Sequence, residues 1–145
     1  MQTFNEAMGK RKRVFLGGTC NDSMWREELL IPKLEIEYFN PVVEDWTEDD
    51  YQEELKQRET CDYCLYVITP RMIGTYSIAE VVDDSNKRPE KTIFCYLNKD
   101  GKKEFSKAQL KSLNKVGEMV AGNGGIFLKS LDAVAKHVNN FHKQK

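Results

Sequence analysis

Three groups of residues in this chain have types and spacings suited to chemistry. The first is a single carboxylate in a rigid setting. The apolar segment Cys64-Leu-Tyr-Val-Ile-Thr69 runs into Pro70-Arg-Met-Ile-Gly-Thr-Tyr-Ser-Ile-Ala-Glu80. This reads as a buried strand, a turn containing Gly74, and a carboxylate in the first turn of a helix. Open α/β sheets bind ligands at the carboxyl ends of their strands, so Glu80 is a candidate for nucleophilic or acid–base work. A plainer reading stands beside it: Ser77-Ile-Ala-Glu80 fits the Ser-x-x-Glu capping box, in which Glu80 returns a hydrogen bond to the Ser77 N–H. The second group is Gly17-Gly18-Thr19 with Asn21 just beyond. It would let a ligand approach the backbone and offer it hydrogen bonds, although paired glycines are common in tight turns. Neither Gly-x-x-x-x-Gly-Lys nor Gly-x-Gly-x-x-Gly occurs, so it is neither a P-loop nor a dinucleotide fingerprint. The third group is acidic: Glu44, Asp45, Glu48, Asp49, Asp50, Glu53 and Glu54, with Asp62 further on and Asp83 and Asp84 one turn after Glu80. Its bland reading is a solvated helix start that complements the helix dipole. Its functional reading is an acidic lip that supplies a proton or binds base edges.

Other candidates carry less. Cys61-x-x-Cys64 has no second pair at metal-finger spacing, so neither zinc nor redox chemistry is expected. His137 and His142 border an apolar stripe and read as packing or surface residues. Lys10–Arg13 reads as a solvated strand entry. No Ser-His-Asp or Cys-His arrangement has support.

The elements that must position these groups alternate. Val14–Leu16 is a short strand ending in the glycine pair, followed by a helix from about Ser23, with Trp25, Leu29 and Leu30 on one side, until Pro32 stops it. Glu35–Phe39 is a second strand, closed by Asn40-Pro41. Thr47–Thr60 is a charged helix with Tyr51 and Leu55 as its apolar pair. Tyr63–Ile68 is the third strand, and Ser77–Lys87 a helix burying Ile78, Val81 and Val82. Thr92–Leu97 is the fourth strand, with a turn over Asn98–Gly101. Ser106–Ala121, Ile126–Leu128 and a stripe of Leu131, Val134, Ala135, Val138 and Phe141 supply a helix, a strand and a final helix. Parallel pairs need long crossovers. The expectation is therefore an α/β, Rossmann-like three-layer sandwich: a flavodoxin-like five-stranded parallel sheet in order 2-1-3-4-5, with residues 1–10 as a flexible arm and 11–145 as one domain. In that order Gly17–Asn21, Asn40–Trp46 and Pro70–Glu80 converge on one crevice.

Bulk composition narrows the partners. Lysine and arginine total 22 against 23 acidic residues, a net charge of −1, so no global positive field attracts a nucleic-acid polymer. No apolar run approaches the ~20 residues of a membrane span, and the chain start lacks a secretory signal. A cytoplasmic protein with reduced thiols is expected.

Taken together, Val14-Phe-Leu-Gly-Gly-Thr19, Asn40-Pro-Val-Val-Glu-Asp-Trp46, Cys61-Asp62 and Tyr76-Ser-Ile-Ala-Glu80 resemble, in order and spacing, the nucleoside 2-deoxyribosyltransferase-like family. The resemblance implies a flavodoxin-like fold and cleavage of the N-glycosidic bond of a 2′-deoxynucleoside or its 5′-monophosphate. The glycosyl group would pass to Glu80 and then to water or another base. It implies that Asp62 and Asp45 join Glu80 in catalysis, and that Glu54 holds the family's acidic position on the second helix. Substrate contacts are expected from Gly17, Gly18, Thr19 and Asn21, from Asn40, Trp46 and Glu54, and from Gly74, Tyr76 and Ser77. It implies a small-molecule nucleoside or nucleotide as partner, no cofactor or metal, and a homo-oligomer, as the family commonly forms one. Better-studied members carry a tyrosine in strand 1 that orients the glutamate, where this chain has Phe15; Tyr38, Tyr66 and Tyr76 are the candidates to replace it. Two other readings remain: a TIR-like NAD glycohydrolase, and a nucleotide-binding or sensing module without catalysis.

Overall fold

Side-chain alternation along the strands sets the layers of this protein, whose computed structural model describes residues 11–20 and 22–140. The arm expected over 1–10, together with Asn21, Phe141 and His142, lies outside the described residues. Strands β1 (Arg13–Gly18), β2 (Glu37–Phe39), β3 (Tyr63–Ile68), β4 (Thr92–Tyr96) and β7 (Ile126–Leu128) form one parallel sheet in the order β2-β1-β3-β4-β7. The expected flavodoxin-like order is present. The segment expected as a plain turn is instead an antiparallel hairpin of β5 (Lys99–Asp100) and β6 (Lys103–Glu104), inserted before the last strand.

The inner strands are buried on both faces, which is why they read as unbroken apolar runs. Val14, Leu16, Leu65, Val67, Ile93 and Cys95 face α1 (Trp25–Leu30) and α5 (Leu131–Asn139), from which Trp25, Leu30, Leu131, Val134 and Val138 pack inward. Phe15, Cys64, Tyr66, Ile68 and Phe94 face the other way, against Val81 of α3 (Tyr76–Lys87) and Leu113 and Val120 of α4 (Lys107–Gly122). Helix α2 (Glu48–Thr60) lies beside α3, and its one fully buried residue is Arg58.

Three local expectations are corrected. Leu29 is half exposed because α1 winds as a π-helix, with i→i+5 bonds that turn it away from Trp25 and Leu30. Of the residues expected buried on α3, Val81 is buried but Ile78 and Val82 are only half-buried. The Ser77–Glu80 capping box does not form: α3 begins one residue earlier, with Thr75 at the N-cap and no side-chain cap. Capping boxes do close the starts of α2, between Thr47 and Asp50, and of α4, between Ser106 and Gln109.

The hairpin braces the loops that follow β1 and β3. The Ser23 hydroxyl donates to Asp100 at 2.5 Å, and Arg71 pairs with the same carboxylate at 3.3 Å. Burial pushes the Asp100 carboxyl up, but hydrogen bonds from Ser23 and Thr69 and the Arg71 charge hold it below its ordinary value.

Candidate active site

The carboxyl end of β1 is shaped by glycine. Gly18 has φ +116, and a Cβ there would lie 2.0 Å from the Val67 carbonyl oxygen, so no other residue fits. A Cβ on Gly17 would lie 2.7 Å from the Tyr66 ring. The absent side chain lets Tyr66 lie close beneath the strand. Thr19 is buried and ties the two strand ends together: its N–H donates to the Val67 carbonyl at 2.9 Å, and its hydroxyl accepts the Thr69 N–H at 2.9 Å. Asn40 accepts the Val42 N–H at 3.1 Å and so folds the loop after β2.

These turns enclose a cleft of ≈ 260 Å³ above the sheet edge. Phe15, Gly17 and Gly18 form its floor; Pro41, Val42, Val43 and Trp46 form one side; Tyr76, Ser77 and Glu80 of α3 form the other. Glu54, Arg26 and Cys20 complete the wall. An adjoining hollow of ≈ 120 Å³ shares Gly18, Cys20, Tyr76 and Ser77 and adds Thr19 and Gly74. More open depressions at the β2 edge and beside α5 are larger but contain no comparable pair of carboxylates.

Glu80 is the chemically tuned group. Its side chain is 11% exposed. Burial, reinforced by the charges of Glu54, Asp84 and Asp83, outweighs the attraction of Arg58 and pushes its pKa up to about 7. Arg58 Nη1 donates to Glu80 Oε2 at 3.3 Å. The rest of that guanidinium is committed elsewhere: Nε and Nη2 fork onto the two oxygens of Asp84 at 3.1 and 2.9 Å, and Nη2 also reaches Asp83 at 3.3 Å. Asp84 is fully buried and also accepts Arg88 Nε at 3.0 Å and the Tyr66 hydroxyl at 2.5 Å. None of the three tyrosines expected to stand in for Phe15 bonds Glu80: Tyr66 bonds Asp84, the Tyr76 hydroxyl pairs with that of Tyr51, and Tyr38 lies exposed on the edge strand.

A second carboxylate, Glu54, lines the same cleft. Burial raises its pKa, opposed by the Trp46 indole N–H, which donates to it at 2.6 Å, and by Arg58. Trp46 meets the Tyr51 ring edge-on at 5.4 Å. With exposed Tyr76 these rings make an aromatic rim able to stack on a flat heterocycle.

The other expected residues divide. Gly74 and Ser77 border the cavities. Asp45 stands exposed between Val43 and Trp46 without lining the cleft. Asp62 is not brought to the site. It accepts the Arg13 N–H at 2.9 Å and pairs with Lys12 at the amino end of β3, about 20 Å along a six-residue strand from the cleft. His137 packs on Tyr63, and burial lowers its pKa. The buried thiols Cys61 and Cys64 are pushed up to about 11 and about 12, mainly by desolvation, so neither is a ready nucleophile. Among the described residues no cluster of His, Cys, Asp or Glu could hold a metal ion, and no helix is long and apolar enough to cross a membrane.

Two functional residues escape sequence reasoning: Arg58 and Arg26. Arg26 is 1% exposed and lines the cleft; its guanidinium donates to the backbone carbonyls of Leu16 at 2.9 Å, Thr19 at 2.7 Å and Gly18 at 3.3 Å, bonds the Cys20 side chain and lies over the Trp25 ring at 4.4 Å. Desolvation lowers its pKa. A signal for Arg58 did exist. Glu80, Asp83 and Asp84, at i, i+3 and i+4, share one helix face beside buried Val81, and such a trio calls for a cation.

No curated protein and no solved structure matches the chain. A family model described as nucleoside 2-deoxyribosyltransferase like matches residues 11–99, a span from β1 into the hairpin that contains every residue lining the cleft. The chain therefore belongs to the nucleoside 2-deoxyribosyltransferase-like family.

Proposed function

We propose that the protein cleaves or transfers across the N-glycosidic bond of a 2′-deoxynucleoside or its 5′-monophosphate, with Glu80 as nucleophile and Glu54 as proton donor. The observation that carries this reading is the pairing of two partly buried carboxylates in one cleft: Glu80 balanced near neutrality by burial, and Glu54 facing it with a raised pKa. Ionised Glu80 attacks C1′. The C1′–N bond breaks, and the departing base carries away the bonding pair and takes a proton from Glu54. Water, or a second base, then attacks C1′; the glycosyl ester bond breaks and returns its electrons to Glu80, while Glu54 accepts the proton of the incoming nucleophile. Two displacements at one carbon leave its configuration retained. The aromatic rim of Trp46, Tyr51 and Tyr76 would grip the base, and Val42 and Val43 would shed water from it.

Arg26 supports the monophosphate over the bare nucleoside. A buried cation with no carboxylate at hydrogen-bond distance among the described residues is costly, and an anionic substrate in the same cleft offsets that charge. One observation favours a second reading, a binding module: Phe15 has no hydroxyl to offer Glu80. The test is incubation with 2′-deoxynucleosides, their 5′-monophosphates and NAD, with and without a free acceptor base, released base being read by chromatography. Base release from deoxynucleotides that vanishes in Glu80→Ala is the expected result. Release of nicotinamide alone would move the substrate to NAD. Binding without turnover by the folded wild-type protein would establish the module.

A further inference from the structure

A buried arginine that touches three carboxylates distributes its charge among them, and the geometry decides which one receives most. Arg58 is 3% exposed. Two of its nitrogens fork onto Asp84, which has no exposure at all, and a single Nη1–H reaches Glu80 at the longer distance of 3.3 Å. A forked pair of charge-assisted bonds is both stronger and more rigid than one long bond. Asp84 is fixed in turn by the Tyr66 hydroxyl on β3 and, within its own helix, by Arg88 at the end of α3. The guanidinium is therefore aligned by Asp84 and presents one leftover donor to Glu80.

We propose that Asp84 is a positioning residue for Glu80, acting through Arg58: it orients the guanidinium so that one N–H fixes the Glu80 carboxylate, while absorbing most of the positive charge that would otherwise fall on Glu80 and quench it as a nucleophile. The proposal rests on the reading of Glu80 as the nucleophile, and nothing in the family match assigns a role to either Arg58 or Asp84. It explains how a carboxylate can bond an arginine and still titrate near neutrality. The groups facing Glu80 are Tyr51, Glu54 and Arg58 from α2, Tyr66 from β3, Tyr76, Asp83 and Asp84 on its own helix, and Arg26 and Cys20 across the cleft. Lys87 bonds Asp83 at 3.0 Å on the outer side.

The experiment is a titration of Glu80 in the full chain without substrate, by carboxyl-carbon NMR, its resonance assigned by its absence in Glu80→Gln. Asp84→Asn keeps the shape and removes the absorbing charge, so Glu80 should titrate about one pH unit lower. Arg58→Lys keeps a cation beside Asp84 but lacks the N–H that reaches Glu80, so Glu80 should titrate about one unit higher. A general loss of structure cannot move two substitutions in one ion pair in opposite directions. Unchanged titration in both variants, or shifts of the same sign, would overturn the proposal. Should either variant fail to fold, the wild type decides: Glu80 titrating below 4.5 would show that Arg58 spends its charge on Glu80 and sink the idea. Base release is measured in parallel. Opposite shifts with no turnover by the wild type would leave the positioning intact and refute the enzymatic reading, whereas turnover with an unmoved titration would do the reverse.

Discussion

Replacing Glu80 with glutamine should stabilise the folded protein at pH 8 and leave it almost unchanged at pH 4. In the folded state the carboxyl is lifted from its ordinary 4.5 to about 7, so folding favours its protonated form. A group of this sign contributes stability below its unfolded pKa and loses it as pH rises through the folded value. At pH 8 the carboxyl is ionised in both states, and the native state bears the whole cost. At about 1.4 kcal/mol for each pH unit, this amounts to about 3 kcal/mol. Glutamine mimics the protonated acid, still accepts the Arg58 N–H, and removes that cost. Urea denaturation of wild type and Glu80→Gln across pH 4 to 9 reads the difference. The gain should grow as pH passes from 4.5 to 7 and then level off, with a thermal midpoint at pH 8 raised by roughly 6–12 °C. An equal gain at every pH, or a variant less stable than wild type at pH 8, would show that Glu80 is not under electrostatic stress and would remove the argument for its reactivity. A stabilised but inactive variant is the usual mark of a site built against stability.

Other outcomes follow from the same geometry. The rising limb of kcat/KM against pH should lie near 7, because Glu80 must be ionised in the free enzyme; a limb near 4.5 would point to a solvated carboxylate in its place. Asp62→Asn should leave base release within about twofold of wild type, since Asp62 lies at the far end of β3; a loss of a hundredfold or more would return it to the site. Gly18→Ala should cost at least about 3 kcal/mol in chemical denaturation, because the new methyl group meets the Val67 carbonyl at 2.0 Å in a backbone conformation that L-residues avoid.

The parts legible in the sequence are those governed by water exclusion. The runs Val14–Leu16, Tyr63–Ile68 and Thr92–Leu97 are buried on both faces and announce parallel strands without help from periodicity. Position along a strand was legible too, for Gly17, Gly18 and Thr19. Asp62 lies apart from the cleft, since proximity in sequence to β3 says nothing of which end of the strand the site occupies. The hairpin escaped because two-residue strands carry no period. The charged interior was the least legible. Composition treats arginine as a surface residue, so Arg26 and Arg58 vanish among the 22 basic residues of the chain. Helix α2, polar on nearly every side, hides the one residue that it buries fully.

That burial has a dynamic consequence. A helix seated on apolar side chains opens against a cost spread over its whole face, whereas the one side chain that α2 buries fully carries a guanidinium. Its release is therefore a local event, of lower free energy than global unfolding. One of the three carboxylates on that guanidinium is Glu80 itself, lifted to about 7 in the closed structure, so releasing α2 returns it toward its ordinary value and sheds its proton. The wall that carries Glu54 thus breathes in step with the charge of the residue it faces, more freely in base than in acid.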